Sequence, residues 1–277
     1  MHVASLEREA GVPLFDRSKR PVRLTEPGAV LAEHAREILR SLGCAEEAMA
    51  SRRGSARGVV TLGSYPSASA AFVPRLLDHL ASSRPAIKVV LLERSTLELD
   101  FAAASGEVDI YLRPMAPPAG SSIECRGLWK EPLCVVHPPR HPLSRLPDPL
   151  PVAAVAAHPL ISIGRLNSPE AMGFETWKMF RDLGLEPDAV QATNQPQTLV
   201  SLVRHGLGVG VTNSLAVTTA DTRDVLVRPL DSRCGRRVGV HWDFTRALTP
   251  AARTLLREIL VSPAPEGTEQ LHRAEVP

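Results

Sequence analysis

Apolar residues recur along this chain with two different periods, and the change between them falls near residue 58. Before it the spacing is helical. Val3, Leu6 and Ala10 stand at i, i+3 and i+7 ahead of Gly11, which predicts the end of a helix closed by a glycine. Two short apolar pieces follow, Val12-Pro13-Leu14-Phe15 and Val22-Arg23-Leu24, with Ser18 and Pro21 disfavouring helix between them. This stretch predicts a β-hairpin. Thr25 suits the cap of a second helix, and Pro27 is tolerated in its first turn. Over 29–53 that helix carries Val30, Leu31, Ala35, Ile38, Leu39, Leu42 and Met49 at spacings of three and four. A stripe this long finds either a second copy of itself or a core of its own domain. Residues 52–58, small, polar and basic, read as a hinge.

After residue 58 strands alternate with helices. The buried-type runs 59–63, 87–92, 109–113, 133–136, 160–163, 189–193, 209–212 and 238–242 predict strands. Between them lie a helix carrying Phe72, Val73, Leu76, Leu77 and Leu80, which Pro74 should kink or delay, and one opened by the capping-box spacing of Ser95 and Glu98. Helices over 169–183 and 196–205 and a last one capped at Thr249-Pro250 and running to Leu260 complete the order. Strand, helix and strand joined by short connections predict parallel sheets covered by helices. Residues 263–277 lack an apolar period and read as a flexible tail.

Charge changes this picture at one place. The net charge of the 277 residues is only +2, too small to make the whole chain a polyanion binder. The hairpin tip, however, holds Arg17, Lys19, Arg20 and Arg23 with no acid from residue 17 to 23. A solvated turn accounts for four cations taken alone, and phosphate contact is the functional alternative. No apolar run approaches membrane-spanning length, and no apolar signal core opens the chain, so a cytoplasmic protein without a membrane partner is expected. Four scattered cysteines without CxxC spacing fit reduced thiols better than a disulfide frame or zinc site.

Helix, glycine, Leu14-Phe15-x-Arg17, basic loop, Leu24-Thr25-x-x-Gly28 and long helix together resemble the DNA-binding end of LysR-type transcriptional regulators. Two further stretches resemble the effector-binding half of the same family: Glu131-Pro132-Leu133 through His141-Pro142-Leu143, and Leu202-Val203-x-x-Gly206-Leu207-Gly208-Val209. The resemblance spans about residues 1–262. It implies an α/β fold: a two-lobe, periplasmic-binding-protein-like effector domain of doubly wound sheets, preceded by a partial winged helix-turn-helix and a long linker helix. The implied divisions are 1–28 for the recognition-helix end and wing, 29–58 for the dimerisation helix and hinge, and 59–262 for the effector domain. Crossings near 130 and 243 would give lobe one 59–129 plus 244–262 and lobe two 131–242. The family's geometry places two helices before the recognition helix, so about thirty residues are expected ahead of Val3 that the sequence from Met1 does not include. Met1 therefore reads as an internal methionine or mis-assigned start, and DNA binding is expected to be weak if the chain begins there.

Few residues carry chemistry. Gly206-x-Gly208-x-Gly210 follows a helix and precedes a strand, the reverse of a dinucleotide fingerprint. His137 and His141 are separated by prolines that forbid a shared helix face, and no nucleophile elbow or HExxH occurs. No enzyme, cofactor or metal is expected. What remains is a cleft where helices start after strand ends: Ser67 and Ser69, Ser95 and Thr96, Asn194 and Gln195. Each polar side chain alone is accounted for as a helix cap, but their convergence on facing lobes points to a small anionic effector. Arg113, at a strand end, either pairs that anion or sits as a rim cation. In family members the strand after Gly208 runs into a proline, whereas this chain reads Thr212-Asn213. The function implied is a LysR-type DNA-binding regulator, a homodimer or tetramer on promoter DNA that responds to the effector. The alternative is a stand-alone solute-binding protein of the same two-lobe fold.

Overall fold

A computed structural model of the chain describes residues 3–18, 20–51, 57–116, 119–164, 166 and 174–271. Lys19, hinge residues 52–56, the start of the helix expected from 169, and residues 272–277 lie outside that description. Helix α1 (Val3–Ala10) ends at Gly11, whose φ of 70° is the left-handed conformation that glycine adopts without strain. Strands β1 (Phe15–Asp16) and β2 (Arg23–Leu24) form the expected hairpin, with Phe15 opposite Leu24 and Asp16 opposite Arg23. Thr25 then caps α2 (Glu26–Ser51), its Oγ1 accepting from the Gly28 N–H at 3.1 Å and donating to the Pro13 carbonyl at 2.7 Å. Only glycine fits at 28, because a Cβ there would run into the Leu14 carbonyl. Along α2, Val30, Ile38, Leu39, Leu42 and Met49 are all more than half exposed. No core of the described residues covers that stripe.

The first lobe starts with β3 (Gly58–Ser64), flanked in parallel by β4 (Ile87–Glu93) and β5 (Ile110–Pro114). Between these strands run α3 (Pro66–Ala71), α4 (Val73–Ser83) and α5 (Thr96–Ala104). The expected kink is a break at Phe72. It leaves Pro74 in the first turn of α4, where its missing N–H has no helical partner to lose. Val60, Leu62, Phe72, Leu76, Leu99, Ile110 and Leu112 fill this core.

The 15-residue β6 (Ile123–His137) leaves this lobe for the second. The second lobe contains β7 (Leu150–Pro151), α6 (Val152–Ala156), β8 (Leu160–Ile163), α7 (Glu175–Asp182) and β9 (Ala189–Thr193). It is completed by α8 (Pro196–Arg204), β10 (Val209–Asn213), α9 (Ser214–Val217) and β11 (Leu226–Asp231). Here β8 pairs in parallel with β9 and β10, while the second half of β6 pairs antiparallel with β10 and β11. The chain returns through β12 (Gly235–Asp243), α10 (Pro250–Val261) and β13 (Glu269–Gln270).

Two expectations are corrected. β12 lies wholly against β5 and the first half of β6, and Val238 and Val240 enter the first core, so the second crossing falls between Asp231 and Gly235 rather than near 243. The reason is register: Gly235 already stands opposite Pro132, at the point where β6 changes lobe. The tail is not loose over its described part. β13 pairs with β6 at Lys130 and Trp129, Gln270 Nε2 donates to the Leu128 carbonyl at 2.8 Å, and Leu271 is 8% exposed. An edge carbonyl of β6 and an apolar side chain are satisfied together, which a period of two or three could not announce in so short a segment.

Leu271→Ala should therefore destabilise the protein by about 2 kcal/mol, at the low end for a buried leucine because the site lies at the lobe's margin. Urea unfolding is the measurement; a change within about 0.5 kcal/mol would mean that the segment contributes no packing.

Candidate functional site

Two regions gather polar and charged side chains at the surface: the hairpin and a cleft. The first is the hairpin. Glu7 on α1 accepts from the Leu14 and Phe15 N–H groups at 2.9 and 3.2 Å and pairs with Arg17 at 3.0 Å. Those donors, the Leu14 N–H foremost, hold the Glu7 carboxyl below its ordinary pKa. Leu14 is buried beneath the turn. This mount holds the loop that carries Arg17, Arg20 and Arg23, all exposed. Arg17 is partly committed to Glu7, so Arg20 and Arg23 are the less encumbered cations.

The second region is a cleft of about 370 Å³ between the lobes. Ser67, Ser95, Thr96 and Asn194, all expected there, come together on its walls. Three expected residues do not. Ser69 turns inward, 8% exposed, and Gln195 caps α8 without reaching the wall. Arg113 is fully buried in β5, its Nε 3.5 Å from the Asp100 carboxylate, which also accepts from the Tyr111 hydroxyl at 3.3 Å. It is neither an effector partner on the wall nor a rim cation. β5 is buried along its whole length, so its end stays beneath α5 instead of emerging at the cleft. Beside it His241 stacks on Tyr111 at 5.2 Å, and burial, aided by the Arg113 charge, lowers the imidazole to about 3.

The start of α5 carries the expected capping box. Glu98 folds back to accept from the Ser95 N–H at 3.0 Å and from the Ser95 hydroxyl. A carboxylate of the chain itself thus sits at this helix N-terminus and lines the cleft. An outside anion is disfavoured there.

The cation on the cleft wall is Arg236, absent from the expected set. Its guanidinium lies over the Tyr65 ring at 5.5 Å, and its Nε is buried without a hydrogen-bond partner among the described residues. Arg236 stands opposite Glu131 across the β12–β6 ladder. Glu131 is fully buried; its Oε1 accepts from Tyr65 Oη at 2.8 Å and from Trp129 Nε1 at 2.9 Å. Burial raises the Glu131 carboxyl, opposed by the charge of Arg236 and by the two donors. A signal for Arg236 was present: counting back by twos from Val240 and Val238 gives the face that turns toward the first core. Phe101 and Phe174 also line the cleft, and Phe101 is 75% exposed.

The Thr212-Asn213 departure builds a cap. Asn213 Oδ1 accepts from the Ala216 N–H at 2.8 Å and starts α9, which brings Ala216 to the cleft wall. Among the described residues no group of His, Cys, Asp or Glu has the arrangement of a metal site.

Glu131→Ala should destabilise the fold by about 2–4 kcal/mol, because it leaves two buried donors, Tyr65 and Trp129, without an acceptor. Glu131→Gln, which keeps an acceptor oxygen, should lose less than half of that. Denaturant unfolding followed by tryptophan emission distinguishes the cases, and equal losses in the two variants would refute this account.

Comparison with known proteins identifies the family and the fold. Residues 53–261 match the LysR substrate binding domain, and residues 1–29 match the bacterial regulatory helix-turn-helix protein, lysR family. The HTH-type transcriptional regulator TtuA of Agrobacterium vitis is 31% identical over 211 residues, covering 76% of this chain and 68% of that protein. Among solved structures, a full-length OxyR variant from Pseudomonas aeruginosa superposes with a TM-score of 0.72 at 23% identity, covering 98% of this chain and 87% of that one. The effector binding domain of QuiR in complex with shikimate superposes at 0.66 with 17% identity, over 74% of this chain and 96% of the other.

Proposed function

The chain belongs to the LysR family of bacterial transcriptional regulators, and we propose that its cleft senses a small carboxylate through Arg236. The family sets the frame: a DNA-binding regulator with an effector domain, acting as an oligomer. One observation carries the reading of the cleft. A buried guanidinium nitrogen without an acceptor, on the wall of a cavity between two lobes, calls for an anionic oxygen. Ser67 and Asn194 supply further polar contacts around that position, and Thr96 supplies one on the α5 side. Glu98 disfavours a second negative group at its end of the cleft and favours a hydroxyl donor there. The ligand read from this pattern is a hydroxylated monocarboxylate, and the shikimate of the QuiR complex belongs to that chemical class.

The hairpin cations Arg17, Arg20 and Arg23 are the proposed phosphate contacts, positioning the protein on promoter DNA without reading bases. The exposed stripe of α2 is the proposed surface for self-association. Both features would be idle in a stand-alone solute-binding protein. The cleft is proposed to bind its ligand without transforming it. A regulator of promoters works in the cytoplasm, and no helix of the described residues is long and apolar enough to cross a membrane.

Binding should show in a thermal-shift screen of hydroxylated carboxylates that includes shikimate, since a ligand at a hundredfold excess over Kd stabilises by about 2.7 kcal/mol. Calorimetry on the best ligand should show about ten- to hundredfold weaker binding for Ser67→Ala and Thr96→Val, and at least as large a loss for Arg236→Ala. A ligand whose affinity none of the three changes would place the pocket elsewhere.

At the other end, Arg20→Ala and Arg23→Ala should each weaken DNA binding equally for promoter and unrelated sequences. Each should reduce the slope of log affinity against log salt by about one. A gel-shift titration in which either change leaves the salt slope intact would remove that residue from the phosphate contacts.

A further inference from the structure

The two strands at the crossing have a second face. Alternation puts Glu131 and Arg236 toward the cleft and Lys130 and Arg237, which also stand opposite one another, on the reverse side. A groove of about 710 Å³ opens on that reverse side. Its walls come from three places: Lys130, Arg233 and Arg237 on the crossing segments, Glu175 and Lys178 on α7 of the second lobe, and Glu269 on β13 of the first. Lys178 pairs with Asp182 at 2.6 Å, and burial raises the Glu175 carboxyl. Neither Lys130 nor Arg233 has a carboxylate within ion-pair distance among the described residues. Four cations and two carboxylates line the groove, and one of the four, Lys178, is already paired with Asp182.

The backbone is adapted to this arrangement. Gly235 lies against Glu131 and Lys130: a Cβ at 235 would come within 2.6 Å of the Glu131 carbonyl oxygen, 2.9 Å of Lys130 Cε and 3.2 Å of Lys130 Cγ. The missing side chain gives the lysine stem room to lie along the strand pair and hold its ammonium at the groove. Leu271 and Met115 complete the walls with apolar surface.

We propose that this groove is a second ligand site, separate from the cleft, that takes a small polyvalent oxyanion, a phosphorylated or polycarboxylate compound. The chemistry is that of clustered cations, Lys130 and Arg237 half-buried and Arg233 and Lys178 exposed, facing several acceptor oxygens. Because its walls belong to both lobes and to the crossing between them, an occupant would tie α7 to the strand pair and resist relative movement of the lobes. The site does not depend on what the cleft binds.

Calorimetry on the full chain at low salt, with pyrophosphate and citrate as separate probes, tests the proposal. The double variant Lys130→Ala/Arg233→Ala should bind the preferred probe at least tenfold more weakly. Ser67→Ala in the cleft and Arg20→Ala/Arg23→Ala in the hairpin should stay within about twofold of the parent, by the rule that each charge-assisted contact contributes about a factor of ten. Preference for one probe separates phosphorylated from polycarboxylate ligands. A Lys130→Gln/Arg233→Gln pair, judged folded by its unfolding curve, replaces the alanine pair if the latter unfolds. The proposal fails if the groove pair leaves affinity unchanged, if the loss follows the cleft or hairpin variants instead, or if neither probe binds at millimolar concentration.

Discussion

The carboxyl of Glu131 is the group on which the two-lobe arrangement depends. It is fully buried at the residue where β6 passes from the first lobe toward the second. An isolated carboxylate there would be strongly unfavourable, and its environment is organised to offset that. Tyr65 and Trp129 both donate to one oxygen, and Arg236 supplies positive charge from the neighbouring strand. Tyr65 is the residue that precedes α3 and Ser67, so the same hydrogen bond that satisfies Glu131 fixes one wall of the cleft. Arg236 has to remain near Glu131 and over the Tyr65 ring, which holds it at the cleft instead of in bulk water. Trp129 in turn packs on Phe72 at 5.0 Å, where the first helix of the lobe breaks. One buried carboxyl thereby links a crossing strand, a core aromatic pair and the cation on the cleft wall.

A smaller constraint of the same kind governs the DNA-binding end. The hairpin is only two residues long on each side, too little to be stable alone. Glu7 holds its start, Thr25 ties the Pro13 carbonyl to the cap of α2, and Gly28 allows the Leu14 backbone to approach that helix closely. The loop cations are therefore carried on a fixed mount between two helices. Such a mount suits the phosphate contact proposed for these cations, which would fix the protein's register on a duplex without reading bases.

The legible and illegible parts of this protein differ in burial. β3, β5, β8 and β10 are largely covered on both faces, so each reads as an apolar run with boundaries clear to within a residue or two. β11 is mostly exposed and contains Arg228 and Pro229, so neither an apolar run nor a clean alternation marks it, and the sequence pattern predicts no strand there. The two-residue β13 has no period at all. The cleft hydroxyls were legible because helix starts follow strand ends in this architecture. The choice between Arg113 and Arg236 was not, since it turns on which strand end emerges at the cleft. Arg113 has the better sequence position, at the end of an apolar strand, yet that strand is central and α5 covers it with Asp100. Arg236 lies in the run Arg233-Cys234-Gly235-Arg236-Arg237, which looks like a solvated turn until its pairing with β6 is known.

That run also explains how a single crossing serves two surfaces. In a strand, neighbours point to opposite faces, so consecutive arginines cannot share a site. Arg236 goes to the cleft and Arg237 to the groove behind it, and the register repeats the division on β6 with Glu131 and Lys130. The two faces differ in what stands opposite the arginine. On the cleft side a buried carboxylate sits directly opposite the arginine and offsets its charge. On the reverse side a lysine sits opposite the arginine, and like charges face one another across the ladder. Such a pair is tolerated at a surface because water screens it, and a bound oxyanion would relieve the repulsion further. The strand pair that joins the lobes thus sets an arginine opposite a carboxyl on one face and an arginine opposite a lysine on the other.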